Sequence, residues 1–323
     1  LSFLLLYSFS LPFLLLLLLF LLVLARDLFL IGAWLFSAWL LGRKKSRDAF
    51  SPGRREALIA GLALIPSAYG VYKGISLPEV HRMEIRQPKL PAELDGLSIV
   101  QLSDIHVSPL FRREWVASVV ERVNALKPDL ILLTGDMVDG LPARRAESVA
   151  PLGRLKSRFG TFGCAGNHEY CSDYPAWMQT VPKLGITMLL NSHTQIIMGK
   201  QIVVLAGVTD MVAERFGLPL PDCEKALAGA PQDALRILMD HRPGAAPDNA
   251  AHNVDLQLSG HTHGGQILGM NALVARFSGG FVQGWYTLDA MQMYVSSGAG
   301  LWNGFPVRLG VPSEIPHIVL RSH

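Results

Sequence analysis

The sequence predicts an α/β domain whose functional groups gather at the carboxyl ends of its strands, preceded by a hydrophobic membrane anchor. Three observations carry this. Strand-like apolar runs alternate with helix-periodic ones from residue 97 onward. Five of those strands end in Asp, Asn or His, the edge where α/β sheets collect ligands. Half of the 323 residues are hydrophobic and 17% charged, and the apolar excess lies before residue 73.

Residues 1–72 are expected to form the anchor, with two to three transmembrane helices. Residues 1–25 are almost wholly apolar, long enough at ~1.5 Å rise per residue to cross a bilayer. Leu28 to Gly42 is a shorter second stretch carrying Trp34 and Trp39. Ala57 to Tyr72 is a third, with Pro66 inside it and Tyr69 and Tyr72 near its end. The basic segment between the second and third stretches reads as cytoplasmic by the positive-inside rule. A multi-pass cell-membrane protein is therefore expected, with the domain after residue 73 outside the cytoplasm. Arg43, Lys44, Lys45, Arg47, Arg54 and Arg55, offset by Asp48, contribute +5 to a net charge of +3, so the remainder sums to −2. No nucleic-acid-binding face is indicated. Cys164, Cys171 and Cys223 show no CxxC spacing and read as buried free thiols.

Residues 73–96, with Pro78, Pro88 and Pro91, read as a connector, and residues 97–323 as the globular domain. Leu97 to Ser103 is a buried strand ending at Asp104-Ile105-His106. Trp115, Val116, Val119, Val120, Val123 and Leu126 recur at helical spacing until Lys127-Pro128-Asp129 stops them. Leu130 to Thr134 is the next strand, ending at Gly135-Asp136-Met137-Val138-Asp139-Gly140. Strand, helix, strand at this length is a βαβ unit. Phe162 to Ala165 leads into Gly166-Asn167-His168-Glu169, and Gln201 to Ala206 into Gly207-Val208-Thr209-Asp210. Leu235 to Met239 leads into Asp240-His241, and Val254 to Ser259 into Gly260-His261-Thr262-His263-Gly264-Gly265-Gln266. Met293 to Ser297 and His317 to Leu320 supply two late strands.

The candidate metal ligands are Asp104, His106, Asp136, Asn167, His241, His261 and His263. A carboxylate, imidazole and amide set without thiolate suits Mn²⁺, Fe²⁺ or Zn²⁺ and is too nitrogen-rich for a Ca²⁺ cage. It exceeds what one ion needs and suits two ions ~3.5–4 Å apart, with Asp136 as the bridging carboxylate. Two such ions can polarise a phosphate and turn the water between them into an attacking hydroxide. His168 is free to act as general acid, and Asp139 to orient its imidazole.

The order Asp104-x-His106, Gly135-Asp136-x-x-Asp139, Gly166-Asn167-His168-Glu169, His241, Gly260-His261-x-His263 resembles the calcineurin-like metallophosphoesterase superfamily. The resemblance covers roughly residues 97–320. It implies a four-layer αββα sandwich with a dinuclear site at its strand ends. It also implies that Asp104, His106, Asp136 and His263 hold one ion and Asp136, Asn167, His241 and His261 the other. His168 matches the catalytic histidine and Asp139 the carboxylate that positions it. Gly140 stands where protein Ser/Thr phosphatases carry Arg, which argues against a phosphoprotein substrate. Gly264-Gly265-Gln266 and the run from Gly300 to Gly310 resemble the membrane-anchored bacterial branch, with Arg308 as a phosphate contact.

The expected activity is metal-dependent hydrolysis of a phosphomonoester, phosphodiester or pyrophosphate at the membrane surface, with a phospholipid or nucleotide-linked lipid among the expected substrates. A lipid pyrophosphatase acting on UDP-diacylglucosamine is the alternative enzyme, although its cytoplasmic site conflicts with the basic-loop topology. A non-catalytic metal-sensing membrane protein is the alternative without chemistry, and the complete ligand set weighs against it. His81, His193, His252, His317 and His323 lie outside the motif blocks and read as surface or packing histidines. Asp210 and Asp240 read as caps or supporting groups, Glu169 as a structural acceptor, and Trp285 and Trp302 as packing or cleft-lining residues.

Overall fold

The computed structural model describes residues 52–302 and 304–322, together with isolated positions between 14 and 32. The chain divides into two compact units, Leu1–Lys73 and Gly74–His323. In the first, helix α1 spans Pro52–Ile75. Among the described residues no helix is long and apolar enough to cross a membrane. The expected multi-pass membrane placement is not upheld, and the extracytoplasmic side deduced from it falls with it. The third candidate span lies in α1, where Pro66, Ser67, Tyr69, Gly70 and Tyr72 interrupt the apolar run. The Ser67 hydroxyl donates to the Ala63 carbonyl at 2.7 Å, satisfying itself within the helix. The first two candidates, residues 1–25 and Leu28 to Gly42, fall largely outside the described residues.

The second unit is built on two six-stranded mixed sheets. The first sheet contains β1 (Glu79–Arg86), β2 (Ser98–Leu102), β3 (Leu130–Thr134), β4 (Thr161–Cys164), β5 (Ile186–Met188) and β12 (Glu314–Arg321), in the order β1-β12-β2-β3-β4-β5. The second contains β6 (Ser192–Met198), β7 (Gln201–Gly207), β8 (Leu235–Met239), β9 (Leu256–Ser259), β10 (Gly284–Leu288) and β11 (Met291–Val295), in the order β10-β11-β9-β8-β7-β6. Strands β2 to β5 run parallel, as do β7, β8, β9 and β11. Hence the carboxyl ends of β2, β3, β4, β8 and β9 can all present loops to one site.

The period of two along each strand sorts its side chains between two cores. In β3, Leu130 and Leu132 join Ile99, Leu205, Ile237 and Leu256 in the core shared by both sheets. Ile131 and Leu133 face the other way, against Val116, Val119, Val120 and Val123. Those valines are the buried stripe of helix α2 (Arg113–Ala125), spaced i, i+3, i+4, i+7 as the sequence predicts. Lys127, at φ 49°, turns the chain out of that helix before Pro128. On the second sheet Val204, Ala206 and Leu238 pack outward against Cys223, Ala226 and Ala246. Helical clusters therefore cover both outer faces.

The segment read as a connector differs from expectation. Its residues Glu79–Arg86 form an eight-residue strand, parallel to β12 in register from Glu79 opposite Glu314 to Arg86 opposite Arg321. Most of its side chains are exposed, as an edge strand allows.

Candidate metal centre

Each predicted ligand leaves a strand on backbone that brings the loops together. Asp104, His106, Asp136, His261 and His263 all adopt positive φ, between 49° and 70°. Asp and His tolerate this left-handed region better than most residues, yet each such position stores strain. It persists because the loops are cross-braced. The Asp104 and His106 amides donate to the carbonyls of Gly135 and Asp136 at 3.1 and 3.0 Å, and Gly260 donates to the carbonyl of His241 at 3.0 Å. The His261 amide donates to both Asp104 carboxylate oxygens, at 3.2 and 3.1 Å.

Two glycines make the approach of these loops physically possible. A Cβ on Gly260 would collide with the Ser103 hydroxyl and the Asp104 carboxylate, and one on Gly166 with the backbone and carboxylate of Asp136. Gly260→Ala should therefore displace Asp104 and lower divalent-ion affinity at least tenfold, read by calorimetric titration. Unchanged affinity would contradict the close approach.

The site residues form two adjoining groups. Asp104, His106 and His263 offer ligand atoms within 4.8 Å of one another, and so do Asp136, His241 and His261. Asp136 joins them through a single oxygen. Its Oδ1 accepts from the His168 amide at 2.8 Å. Its Oδ2 faces His241 Nε2 at 3.2 Å and His106 Nε2 at 3.8 Å. The far nitrogens are held: His241 Nδ1 lies 2.8 Å from the Thr134 carbonyl, and His106 Nδ1 lies 3.1 Å from Asp139 Oδ1. Such partners fix the imidazole so that Nε2 points at an ion. His261 and His263, two residues apart, fall into different groups.

The donor set fits divalent cations. His106 Nε2, His241 Nε2, Asn167 Oδ1 and His263 Nδ1 are buried polar atoms with no hydrogen-bond partner in the protein. Buried polar atoms left unpaired are costly, and the two Nε2 atoms face the Asp136 carboxylate. Charge gives the same answer. Burial opposes protonation of His241, but the charge of Asp136, whose Oδ2 lies 3.2 Å from Nε2, outweighs it and pushes its pKa to about 10. Burial, with His241 and Arg242 nearby, pushes His261 down to about 3, and burial beside His106 holds His263 well below the usual range. The carboxylates thus draw positive charge inward, while His261 and His263 are held neutral, the protonation state in which an imidazole binds a metal.

A third group, His106, Asp139 and His168, is a hydrogen-bonded support rather than a coordination site. Asp139 Oδ1 lies 2.6 Å from His168 Nδ1 and 3.1 Å from His106 Nδ1, so one oxygen orients both rings. Burial works against the charged His168 ring, yet the Asp139 hydrogen bond and the Asp136 charge raise it to about 9. The side chain is 29% exposed, so the ring is not sealed from solvent.

Glu169 is fully buried, and its two oxygens accept from the amides of Asp136, Met137, Val138 and Gly166, at 2.9, 2.6, 3.3 and 2.7 Å. It ties the β3 and β4 loops together. Asp210 caps the turn after β7 through the Val212 amide, and Asp240 accepts from the Asn249 side chain. His193 binds the Ala226 carbonyl and His317 the Ser98 hydroxyl, both far in sequence from the site blocks. His323 lies outside the described residues. Trp285 packs on Tyr294, and Trp302 lines a cavity beside His261. All three cysteines are free, with Cys171 exposed rather than buried as expected.

Arg308 is a correction. Its side chain is buried and donates to the carbonyls of Ser297 at 2.6 Å, Gly300 at 3.0 Å and Gly298 at 3.3 Å, with longer contacts to His263, Val311 and Pro312. Its two Nη groups are engaged by backbone carbonyls and clamp the loop that carries His263, and at 1% exposure the side chain is a buried brace rather than the exposed phosphate contact expected. The arginine at the cleft is Arg242. Its Nε donates to Asp210 Oδ2 at 2.8 Å, and Nη1 lies 3.1 Å from His261 Nε2. Sequence reasoning passed over it, although it directly follows the ligand His241 at a strand end.

Two mixed sheets with clusters of Asp and His at the carboxyl ends of their strands define a metallophosphoesterase-type fold. The chain belongs to the calcineurin-like phosphoesterase family, whose profile matches residues 97–265. It is 33% identical over 294 residues to a transmembrane protein with metallophosphoesterase domain from Danio rerio, covering 88% of this chain and 67% of that one. It is 31% identical over 290 residues to the metallophosphoesterase YkuE of Bacillus subtilis, covering 87% and 99%. The chain thus spans about two thirds of the vertebrate relative's length. Among solved structures, the NAD nucleotidase of Haemophilus influenzae aligns with 15% identity over 63% of this chain and 45% of that one, at a TM-score of 0.45.

Proposed function

We propose that the chain hydrolyses phosphoester bonds with two divalent ions, Mn²⁺, Fe²⁺ or Zn²⁺. Asp104, His106, Asp136 and His263 would hold one, and Asp136, Asn167, His241 and His261 the other. The observation that carries this reading is Asp136 Oδ2, which faces Nε2 of both His106 and His241 while Oδ1 is occupied by an amide. When bound, the ions supply Lewis-acid charge for the phosphate oxygens and acidify a water.

The chain's own residues supply the rest. His168 carries a proton at neutral pH, held in place by Asp139, and can deliver it to the departing alcohol oxygen. Arg242, fixed by Asp210, offers charge to a non-bridging oxygen beside His261. A phosphomonoester, a phosphodiester and a pyrophosphate all present the groups this arrangement needs.

The full chain stripped with EDTA should lose hydrolysis of bis(4-nitrophenyl) phosphate and 4-nitrophenyl phosphate by about three orders of magnitude. Mn²⁺ should restore it, with activity saturating near two ions per chain. Full turnover in excess EDTA, or saturation at one ion, would overturn the reading.

A further inference from the structure

A cavity of about 330 Å³ opens directly beside the two site histidines of the β9 turn, with His261 and His263 in its wall. The rest of that wall is mostly apolar: Ile267, Met270, Val274, Phe277, Trp302 and Phe305. Its hydroxyls are already used. Thr262 donates to the Val282 carbonyl, and the single Ser278 hydroxyl proton lies between the Val274 and Phe281 carbonyls, the latter nearer at 2.6 Å. A sugar or nucleoside would find few partners there besides Gln266 and the histidines.

The rim is exposed where a soluble enzyme would ordinarily be polar. Of the residues lining the cavity, Phe277 is 85% exposed and Met270 and Trp302 are each 41% exposed. Leu268 and Leu273, adjacent in sequence to the lining Ile267 and Val274, are exposed as well. The short helix Asn271–Ala275 that carries part of this rim buries none of its residues. Arg276 is the one charged residue between Gly264 and Gln283. Exposed apolar side chains at the mouth of a cavity are the mark of a binding surface.

Continuity with the metal centre says what the surface binds. A second, smaller cavity of about 140 Å³ lies on the other side of His261 and contains Asp210, Asp240 and Arg242. Both cavities share His261, Phe277 and Ser278. A phosphate at the centre would therefore have a charged flank on one side and an apolar flank on the other. A group in the larger cavity would lie against His261 and His263, two of the proposed ligands.

We infer that the substrate is an amphiphilic phosphoester whose alkyl or acyl group lies in this groove. The inference rests on the phosphoesterase reading and deepens it. In the reaction, water adds to phosphorus, the ester P–O bond breaks, and the departing oxygen takes a proton. The apolar group remains on whichever product carries it.

The test uses the full Mn²⁺-loaded chain and alkyl 4-nitrophenyl phosphate diesters from methyl to octyl, kept below their aggregation concentrations. Water and diester give alkyl phosphate and 4-nitrophenol. Each added methylene should raise kcat/KM by about two- to fourfold until the groove is filled. Phe277→Ser, at an exposed position that does not support the fold, should reduce the octyl-to-methyl ratio several-fold, and Val274→Asp should bring it close to one. Equal kcat/KM across the wild-type series would overturn the inference and leave the phosphoesterase reading standing. No hydrolysis of any diester, methyl included, would overturn both. A chain that dimerises through this patch, becomes monomeric with Phe277→Ser and keeps its octyl-to-methyl ratio would assign the surface to a second copy and overturn the inference.

Discussion

His168→Ala should keep both ions bound and lower kcat for esters of simple alcohols by about 10²–10⁴-fold, the range typical of a lost general acid. The loss should shrink toward severalfold for 4-nitrophenyl esters, because a nitrophenolate departs without protonation. Two features of the structure separate this from a general disruption. The His168 side chain contacts the support carboxylate Asp139 and is not among the atoms facing Asp136 Oδ2. Its backbone amide, which holds Asp136 Oδ1, survives the substitution. The acid limb has a definite sign. His168 must be protonated to act, and its pKa is raised to about 9. Activity is therefore retained below that pKa and lost as the pH rises through it. Bound cations move the limb to lower pH by repelling the imidazolium. The alanine variant should lack this limb altogether. A variant with equal losses on alkyl and nitrophenyl esters, or with an unchanged alkaline limb, would remove His168 from the acid role.

Much of this site was legible because its chemistry sits at strand ends. Leu130-Ile-Leu-Leu-Thr is a buried strand in any reading, and the glycine after it can only turn, so Asp136 had to emerge at the sheet's edge. The same logic placed Asp104, Asn167, His241 and His261. What sequence could not supply was the direction of each side chain. Arg308 and Arg242 are both arginines on loops near a ligand. Only the packing shows that one is enclosed by carbonyls and the other faces the cleft. The double use of Asp139 was equally hidden, because His106 and His168 lie on different strands' loops. Edge strands were the weak point of the fold. Glu79–Arg86 alternates charge with apolar residues and has only one neighbour, so its pattern resembles a solvated connector. The third apolar segment before residue 73, Ala57 to Tyr72, misled in the opposite direction. Composition suggested repeated spans, yet in α1 the run that should have been continuous is broken by proline, serine, glycine and tyrosine.

Glu169→Ala should cost more stability than any ligand substitution, although Glu169 touches no ion. Its carboxylate is the acceptor for four amides inside a fully buried junction. Leaving a buried donor unsatisfied costs about 1–3 kcal/mol. Even with water entering the cavity to satisfy some of the four, a loss of about 3–5 kcal/mol is expected, a large share of the ~5–15 kcal/mol that holds an ordinary domain. The same amides fix the loop from Asp136 to Val138, so the bridging carboxylate should lose its position together with the stability. Glu169→Gln separates the two contributions. Its oxygen can serve the amides on one side, but its NH₂ then faces donors on the other, so roughly half the effect should remain. Thermal unfolding and ion stoichiometry should decline in parallel across wild type, Gln and Ala. A normal melting temperature with two tightly bound ions in Glu169→Ala would show that the β3 and β4 loops hold Asp136 without this anchor. The strain at the left-handed Asp136 would then have to be borne by the backbone bonds to Asp104 and His106 alone.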